Sequence, residues 1–355
     1  MRLDACRGKF IDTIINNTRP CPGHNLNIIG GHMRFHKTII AGLALALSTA
    51  AAHAESWQMA TPYPESNFHT QNILQFAKDV DAATDGKLQI TVHAAGSLIK
   101  HQEIKNAVRS QQIQIGEFII SNLANENPIF ALDSVPFVAV SFDDSRKMYK
   151  ASKPALEEEL GRQNLKVLFS VAWPPQGLYT DRPVEKIEDL RGLKFRAYSP
   201  QTERLAQLAG AVPTQVEVPD LAQAFTTGRV NAMLTSTSTG VNTKAWDYLK
   251  YFYDVAAFLP KNIVVVNQRV FDALDPATQK AVLDAAATAE KRGWEMAESD
   301  HVAQRKVLQE NGIVVSDGSP ALNAALHDIG KQMAAEWSKE AGARGEAVLE
   351  AYRAQ

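Results

Sequence analysis

The sequence predicts an α/β protein with parallel-sheet architecture, built as two bodies braced by one long helix. Three observations carry this. Strand-like and helix-like segments alternate along the chain, which argues strands packed between helices. One helical segment near the C-terminus is longer than a small domain is wide. The 355 residues are 45% hydrophobic and 21% charged, enough apolar content for a large core or two modest ones. That composition excludes a disordered chain. Lys+Arg 37 against Asp+Glu 39 gives a formal net charge of −2, so no nucleic-acid partner is expected, because binding phosphate needs an excess of basic residues.

The elements begin after a leader. Met33-Arg34-Phe35-His36-Lys37 places positive charge before the apolar run Ile39 to Leu47, and small residues follow to Ala52-His53-Ala54. A charged start, a short apolar stretch and an A-x-A site make a secretory signal peptide, with cleavage expected between Ala54 and Glu55. The apolar run is too short to span a bilayer, which takes about 20 residues. Residues 1–32 have no helical or strand period, so translation is expected to start at Met33. Losing 1–54 removes Arg2, Arg7, Lys9, Arg19, Arg34 and Lys37 but only Asp4 and Asp12, leaving 31 basic against 37 acidic residues and a charge of −6. Cys6 and Cys21 leave with the leader, so the expected periplasmic protein has neither disulfide nor lipid-bearing cysteine.

Trp57 to Thr61 reads as the first strand. Phe68, Ile73, Phe76, Ala77 and Val80 then recur at helical spacing until Gly86. Leu88, Ile90 and Val92 alternate as a half-buried strand, and a helix follows with Ile104, Ala107 and Val108 inward. Ile113 and Ile115 open another strand. A helix near 143–161, strands at Leu165 to Ala172 and Leu193 to Ala197, a helix over 219–227 and a strand Val230 to Leu234 continue the alternation. Ile263 to Val266 is continuously apolar, as a strand buried on both faces would be. From the cap Asp275 and Pro276, helical spacing persists to about residue 311, roughly 54 Å at 1.5 Å per residue. Gly293 is the expected site of a bend. A last helix runs from Pro320 to near Arg353.

Enzymatic motifs are missing. There is no G-x-S-x-G elbow, no P-loop and no G-x-G-x-x-G. The five histidines beyond the leader, His69, His93, His101, His301 and His327, form no i, i+4 pair and are expected as exposed or hydrogen-bonded surface groups. No metal and no cofactor is expected. Glu157-Glu158-Glu159 reads as a solvated helix face, and Glu126 and Asp133 have no assigned place.

Ile187-Glu188-Asp189-Leu190-Arg191-Gly192-Leu193-Lys194-Phe195-Arg196 resembles the "D-L-(K/R)-G-L-K-(hydrophobic)-R" signature of TRAP transporter solute-binding proteins of the DctP type. Gly210-Ala211-Val212-Pro213 resembles that family's "G-A-x-P". Gln223 to Asn231 resembles its "Q-A-L-x-x-G-x-V-D". The resemblance implies a two-domain periplasmic binding protein fold, type II-like, with the long helix spanning both domains. It implies domain I from 55–177 and 265–355 and domain II from 178–264. It also implies a receptor that closes on a small organic carboxylate and delivers it to the membrane permease subunits. Trp173 to Tyr179 and Leu259-Pro260-Lys261-Asn262 resemble a subfamily that includes receptors for small cyclic monocarboxylates, pyroglutamate among them. Sialic-acid receptors of the family carry a second arginine where this chain has Gln176 and Gly177, so a bulky acidic sugar is not expected.

By resemblance Arg196 clamps the ligand carboxylate, a role that suits a guanidinium, which stays charged and offers parallel N–H donors. Trp173, next to Pro174 and Pro175, is the candidate apolar wall, weighed evenly against a core tryptophan. Tyr198 lies two residues beyond Arg196 and by strand period points the same way. Glu117 and Phe118 follow a strand whose end faces the cleft in the family. Thr235 and Ser236 end a strand where α/β sheets place ligand contacts, and Asn262 supplies a donor and an acceptor near the crossover. A secreted enzyme using Glu117 with another acid, and a binding protein feeding a sensor, are the alternative functions. A monomer is the default, since no coiled-coil heptad is present.

Overall fold

The computed structural model describes residues 54–355, so the expected leader up to His53, with Cys6 and Cys21, lies outside the described residues. The chain opens with β1 (Glu55–Ala60), α1 (Phe68–Ala83), β2 (Leu88–His93), α2 (Ile104–Arg109), β3 (Ile115–Ile119), α3 (Phe142–Gly161) and β4 (Leu165–Ala172). It crosses to β5 (Gly177–Thr180), β6 (Lys194–Ala197), α4 (Pro200–Leu208), β7 (Val212–Gln215), α5 (Leu221–Thr226), β8 (Ala232–Thr235), α6 (Thr237–Asn242) and β9 (Tyr251–Tyr253). It returns through β10 (Lys261–Asn267) and α7 (Gln268–Asp272), then runs along α8 (Pro276–Glu310), β11 (Val314–Ser316) and α9 (Pro320–Arg353).

These strands form two sheets, ordered β2-β1-β3-β10-β4 and β11-β9-β5-β8-β6-β7. The expectation of parallel sheets holds in part. β1 is parallel to β2 and β3, and β6 to β7 and β8, but β10 runs antiparallel to β3 and β4, and β5 antiparallel to β8 and β9. The cause is the route of the chain. β5 and β10 are each entered directly from the other sheet, without the crossover helix that makes consecutive strands parallel. Side chains alternate across β10, Ile263 and Val265 entering the cluster with Phe130 and Met148, Val264 and Val266 the one with Trp57 and Phe76. The second sheet is likewise covered on both faces, around Phe195 and Leu234 on one and Tyr179 and Phe252 on the other.

Strands β5, β7, β9 and β11, of three or four residues each, escape the sequence reading. β7 also contains Pro213, which reads as a breaker. It is tolerated because β7 is the sheet's edge, where one missing N–H costs no ladder bond.

Asp275 caps α8, its carboxylate accepting from the N–H groups of Ala277 and Thr278, with Pro276 in the first turn. The helix has 35 residues, about 52 Å. It packs on α1 and β4 of the first sheet's body and on α6 and β11 of the second's. The helix runs unbroken through Gly293. A Cβ there would sit 2.4 Å from Val171 Cγ2 and 2.7 Å from Asn72 Nδ2, so the glycine serves the close approach of α8 to β4 and α1. The break falls in α9 instead, at Gly342 (φ +57°, ψ −151°). Between the two sheets the chain passes twice in paired segments. Trp173 N–H donates to Pro260 O, Gln176 N–H to Phe258 O and Ala257 N–H to Gln176 O, at 2.8 to 2.9 Å.

Candidate functional site

Strand ends converge on one cleft. The carboxyl end of β6 supplies Arg196 and Tyr198, that of β7 leads to Glu217 and Val218, and that of β8 supplies Thr235 and Ser236. From the first sheet, β1 leads to Tyr63, β3 ends at Ile119, β4 leads to Trp173, and Pro260 stands just before β10. Side chains beyond strand carboxyl ends are free of the ladder and face the crevice between layers, where α/β sheets take ligands. The resulting pocket has a volume of about 340 Å³, its open mouth included. It is a slot for something small.

Arg196 is 2% exposed. Its Nε donates to Val216 O at 2.9 Å, and its Cζ lies 4.4 Å from the centre of the Tyr198 ring. These two contacts orient the guanidinium while leaving its Nη groups for the pocket. Burial pulls its pKa down, opposed by the charges of Tyr198, Glu217 and Tyr63. A desolvated cation with free parallel donors is what a carboxylate ligand matches. The Tyr198 hydroxyl donates to Gln176 Oε1 at 3.0 Å, and Gln176 Nε2 to Pro174 O at 2.8 Å. Gln176 is therefore already committed. Gly177 beside it has no room for a side chain, since a Cβ would meet Phe252 at 2.2 Å.

Trp173 and Tyr63 form the opposite wall, edge to face at 4.9 Å. Both hang on Asn262, whose Oδ1 accepts from Trp173 Nε1 at 2.8 Å and from the Tyr63 hydroxyl at 3.2 Å. Asn262 Nδ2 in turn donates to Glu117 Oε1 at 2.9 Å, and Thr61 Oγ1 donates to Glu117 Oε2 at 2.6 Å. Burial, with the charges of Glu117 and Glu217, drives the Tyr63 pKa far up, so its hydroxyl stays a donor.

The sequence candidates therefore divide. Arg196, Trp173, Tyr198, Thr235 and Ser236 line the pocket. The Ser236 hydroxyl is also the cap of α6, accepting from Thr239 N–H at 3.1 Å. Glu117 and Asn262 stand one layer behind, fixing the aromatic wall. Phe118 points to the opposite face of β3, into the first sheet's core and a neighbouring cleft bordered by Lys105 and Glu126.

Two histidines depart from the surface reading. His69 is 2% exposed and packs 4.3 Å from the Trp173 ring. His101 lines the pocket, where its Nε2 accepts from Ile119 N–H at 3.3 Å, which makes Nδ1 the donor to Glu217 Oε2 at 2.9 Å. Sequence spacing could not find this pair, because residues 116 apart meet only across the cleft. Burial would raise the Glu217 pKa, but hydrogen bonds from His101 and Gln102 and the charge of Arg196 outweigh it and bring it down to about 2. Asp133, unplaced by the sequence, lies buried against Lys261 beside the paired connector, and Glu126 pairs with Lys105. Among the described residues no cluster of three or more His, Cys, Asp or Glu is placed to hold a metal, and no helix is long and apolar enough to cross a membrane.

Comparison with known proteins agrees with this geometry. The profile of DctP, the bacterial extracellular solute-binding protein family 7, matches residues 59–340. Two Bordetella pertussis extracytoplasmic solute receptors binding pyroglutamic acid, DctP6 and DctP7, are each 47% identical with a TM-score of 0.84, covering 84% of this chain and 100% of theirs. A marine metagenome TRAP solute-binding protein specific for pyroglutamate is 37% identical with a TM-score of 0.84, over 85% of this chain and 99% of its own. With its two sheets, its spanning helix and a buried arginine between them, the chain belongs to the DctP family and is an extracytoplasmic solute-binding receptor of the TRAP type.

Proposed function

We propose that this receptor captures pyroglutamate, or a cyclic monocarboxylate of its size, by closing two domains on it, and hands it to a TRAP membrane permease. The observation that carries the reading is the buried Arg196 guanidinium, held by Val216 O and Tyr198 with its Nη groups toward a slot walled by Trp173 and Tyr63. The Arg196 fork takes the carboxylate, and the aromatic wall takes the flat ring. The similarity to three pyroglutamate receptors supports the choice of acid. Closure follows from tighter binding of the ligand to the closed form.

The domain division goes with the two sheets: the expected bounds 55–177 with 265–355 and 178–264 shift at one end, because β10 begins at Lys261 in the first sheet, so domain II is 178–260, with β11 lent to its sheet. The paired segments at 173–176 and 257–260 are the hinge. Signal peptidase cuts between Ala54 and Glu55, a reading supported by β1 starting at Glu55 itself. The exported protein is a periplasmic monomer that returns its ligand unchanged, with no catalytic turnover. Mass spectrometry of exported material should give an N-terminus at Glu55 and intact recovered ligand, and a different terminus would overturn the cleavage site.

Titration of the protein with pyroglutamate and with its amide tests the central claim. The acid at 100 times its Kd should add about 2.7 kcal/mol of stability, seen as a rise in Tm, while the amide should add almost none. Equal shifts from both would refute recognition through the carboxylate.

A further inference from the structure

Glu217 shares the slot with Arg196, and the binding of a monocarboxylate does not explain it. Its carboxylate is held at both oxygens: Oε2 accepts from His101 Nδ1 at 2.9 Å, and Oε1 from Gln102 Nε2 at 3.1 Å and Gln215 Nε2 at 3.3 Å. His101 and Gln102 belong to the first sheet's body, Glu217 and Gln215 to the second's, so the carboxylate is gripped from both sides of the cleft. A carboxylate offers about four acceptor sites, and the three donors leave about one for the pocket. Against burial, which alone would raise it, the bonds from His101 and Gln102 and the charges of His101 and Arg196 bring its pKa down to about 2 and keep the group ionised through the neutral range.

One fixed anion thus stands beside one fixed cation in a small, mostly desolvated space. A ligand whose carboxylate sits on Arg196 has its other end within the reach of Glu217's field. A second carboxylate there meets a like charge that cannot move away, because His101, Gln102 and Gln215 pin it. A neutral N–H meets the remaining acceptor site.

We propose that Glu217 is a specificity-determining residue that restricts the site to monocarboxylates with a neutral, hydrogen-bond-donating second end and rejects dicarboxylates. This rests on the reading of Arg196 as the carboxylate clamp. It is specificity by repulsion, since the anion adds little to the preferred ligand compared with what it takes from the wrong one.

Succinamate and succinate, identical but for an amide in place of one carboxylate, isolate the effect as competitors against pyroglutamate. The wild-type receptor should prefer succinamate by at least about tenfold, and Glu217→Gln should bring the ratio toward one. Lowering the pH to about 5, where succinate carries more of its second proton, should narrow the gap in the wild type, a measurement that does not depend on the variant folding. Equal wild-type affinity for the two compounds, a gap unmoved by acidification, or an unchanged ratio in a Glu217→Gln protein that melts like the wild type would each overturn the role of Glu217. A wild-type protein that fails to bind pyroglutamate at all would instead overturn the receptor's ligand assignment.

Discussion

Arg196→Ala should weaken ligand binding by about 2–5 kcal/mol, roughly 30- to 5,000-fold in Kd, while leaving the unliganded fold in place. The loss is large because the clamp is desolvated. Arg196 is 2% exposed, so water competes little with a carboxylate for its guanidinium. The fold survives because the side chain's own support is light: one hydrogen bond to Val216 O and a stack on Tyr198. Arg196→Lys should recover only part of the affinity, since an ammonium keeps the charge and loses the parallel fork. Calorimetry on the two variants, with circular dichroism as a check on folding, decides the matter. Unchanged affinity in the alanine variant would remove Arg196 from the site.

The second large effect is on stability. Asp133→Ala should destabilise the protein by about 3–5 kcal/mol, because it strips the partner from a buried cation. Asp133 Oδ2 accepts the backbone N–H of Lys261 at 2.8 Å and stands 3.5 Å from its ammonium, and Lys261 is 1% exposed. Burial pushes the Asp133 carboxyl up and the Lys261 ammonium down, each held back by its partner's charge. The pair sits where the connector 257–260 meets β10, so its loss loosens the residues that lead to Asn262, which holds the pocket wall from behind. Adding Lys261→Met to Asp133→Ala should regain much of the loss, since the unpaired charge is then gone. Urea denaturation of the single and double variants is the measurement. A double variant no more stable than Asp133→Ala alone would show that the backbone acceptor, not the charge, was what mattered.

The outcome at individual residues separates what a sequence can carry from what it cannot. Arg196 was legible because its neighbours Asp189, Leu190, Gly192 and Leu193 form a local turn into β6 that a signature can record. Tyr198 was legible from the period of two along an extended segment. Asn262 and Glu117 were legible as polar residues near the cleft, but their place behind Trp173 and Tyr63 was not, since it depends on β3 and β10 pairing in a register that sets Asn262 against Ile119. His101 read as a surface group and Glu217 carried no signal in the sequence, and only the approach of the two bodies puts them in contact. Phe118 followed the right strand with the wrong face, because one residue of displacement along β3 turns a side chain from the cleft into the core.

What is local was written in the chain: the alternation of strands and helices, the cap and length of α8, the turn before Arg196. These depend on neighbours within a few residues, and propensity, capping and period act at that range. The antiparallel run of β5 and β10, the close contact at Gly293 and the place of Glu217 beside Arg196 in one slot were set in three dimensions. Each of these joins residues far apart in the chain, and the energy that selects them is packing and charge pairing in three dimensions, which no short stretch of sequence records.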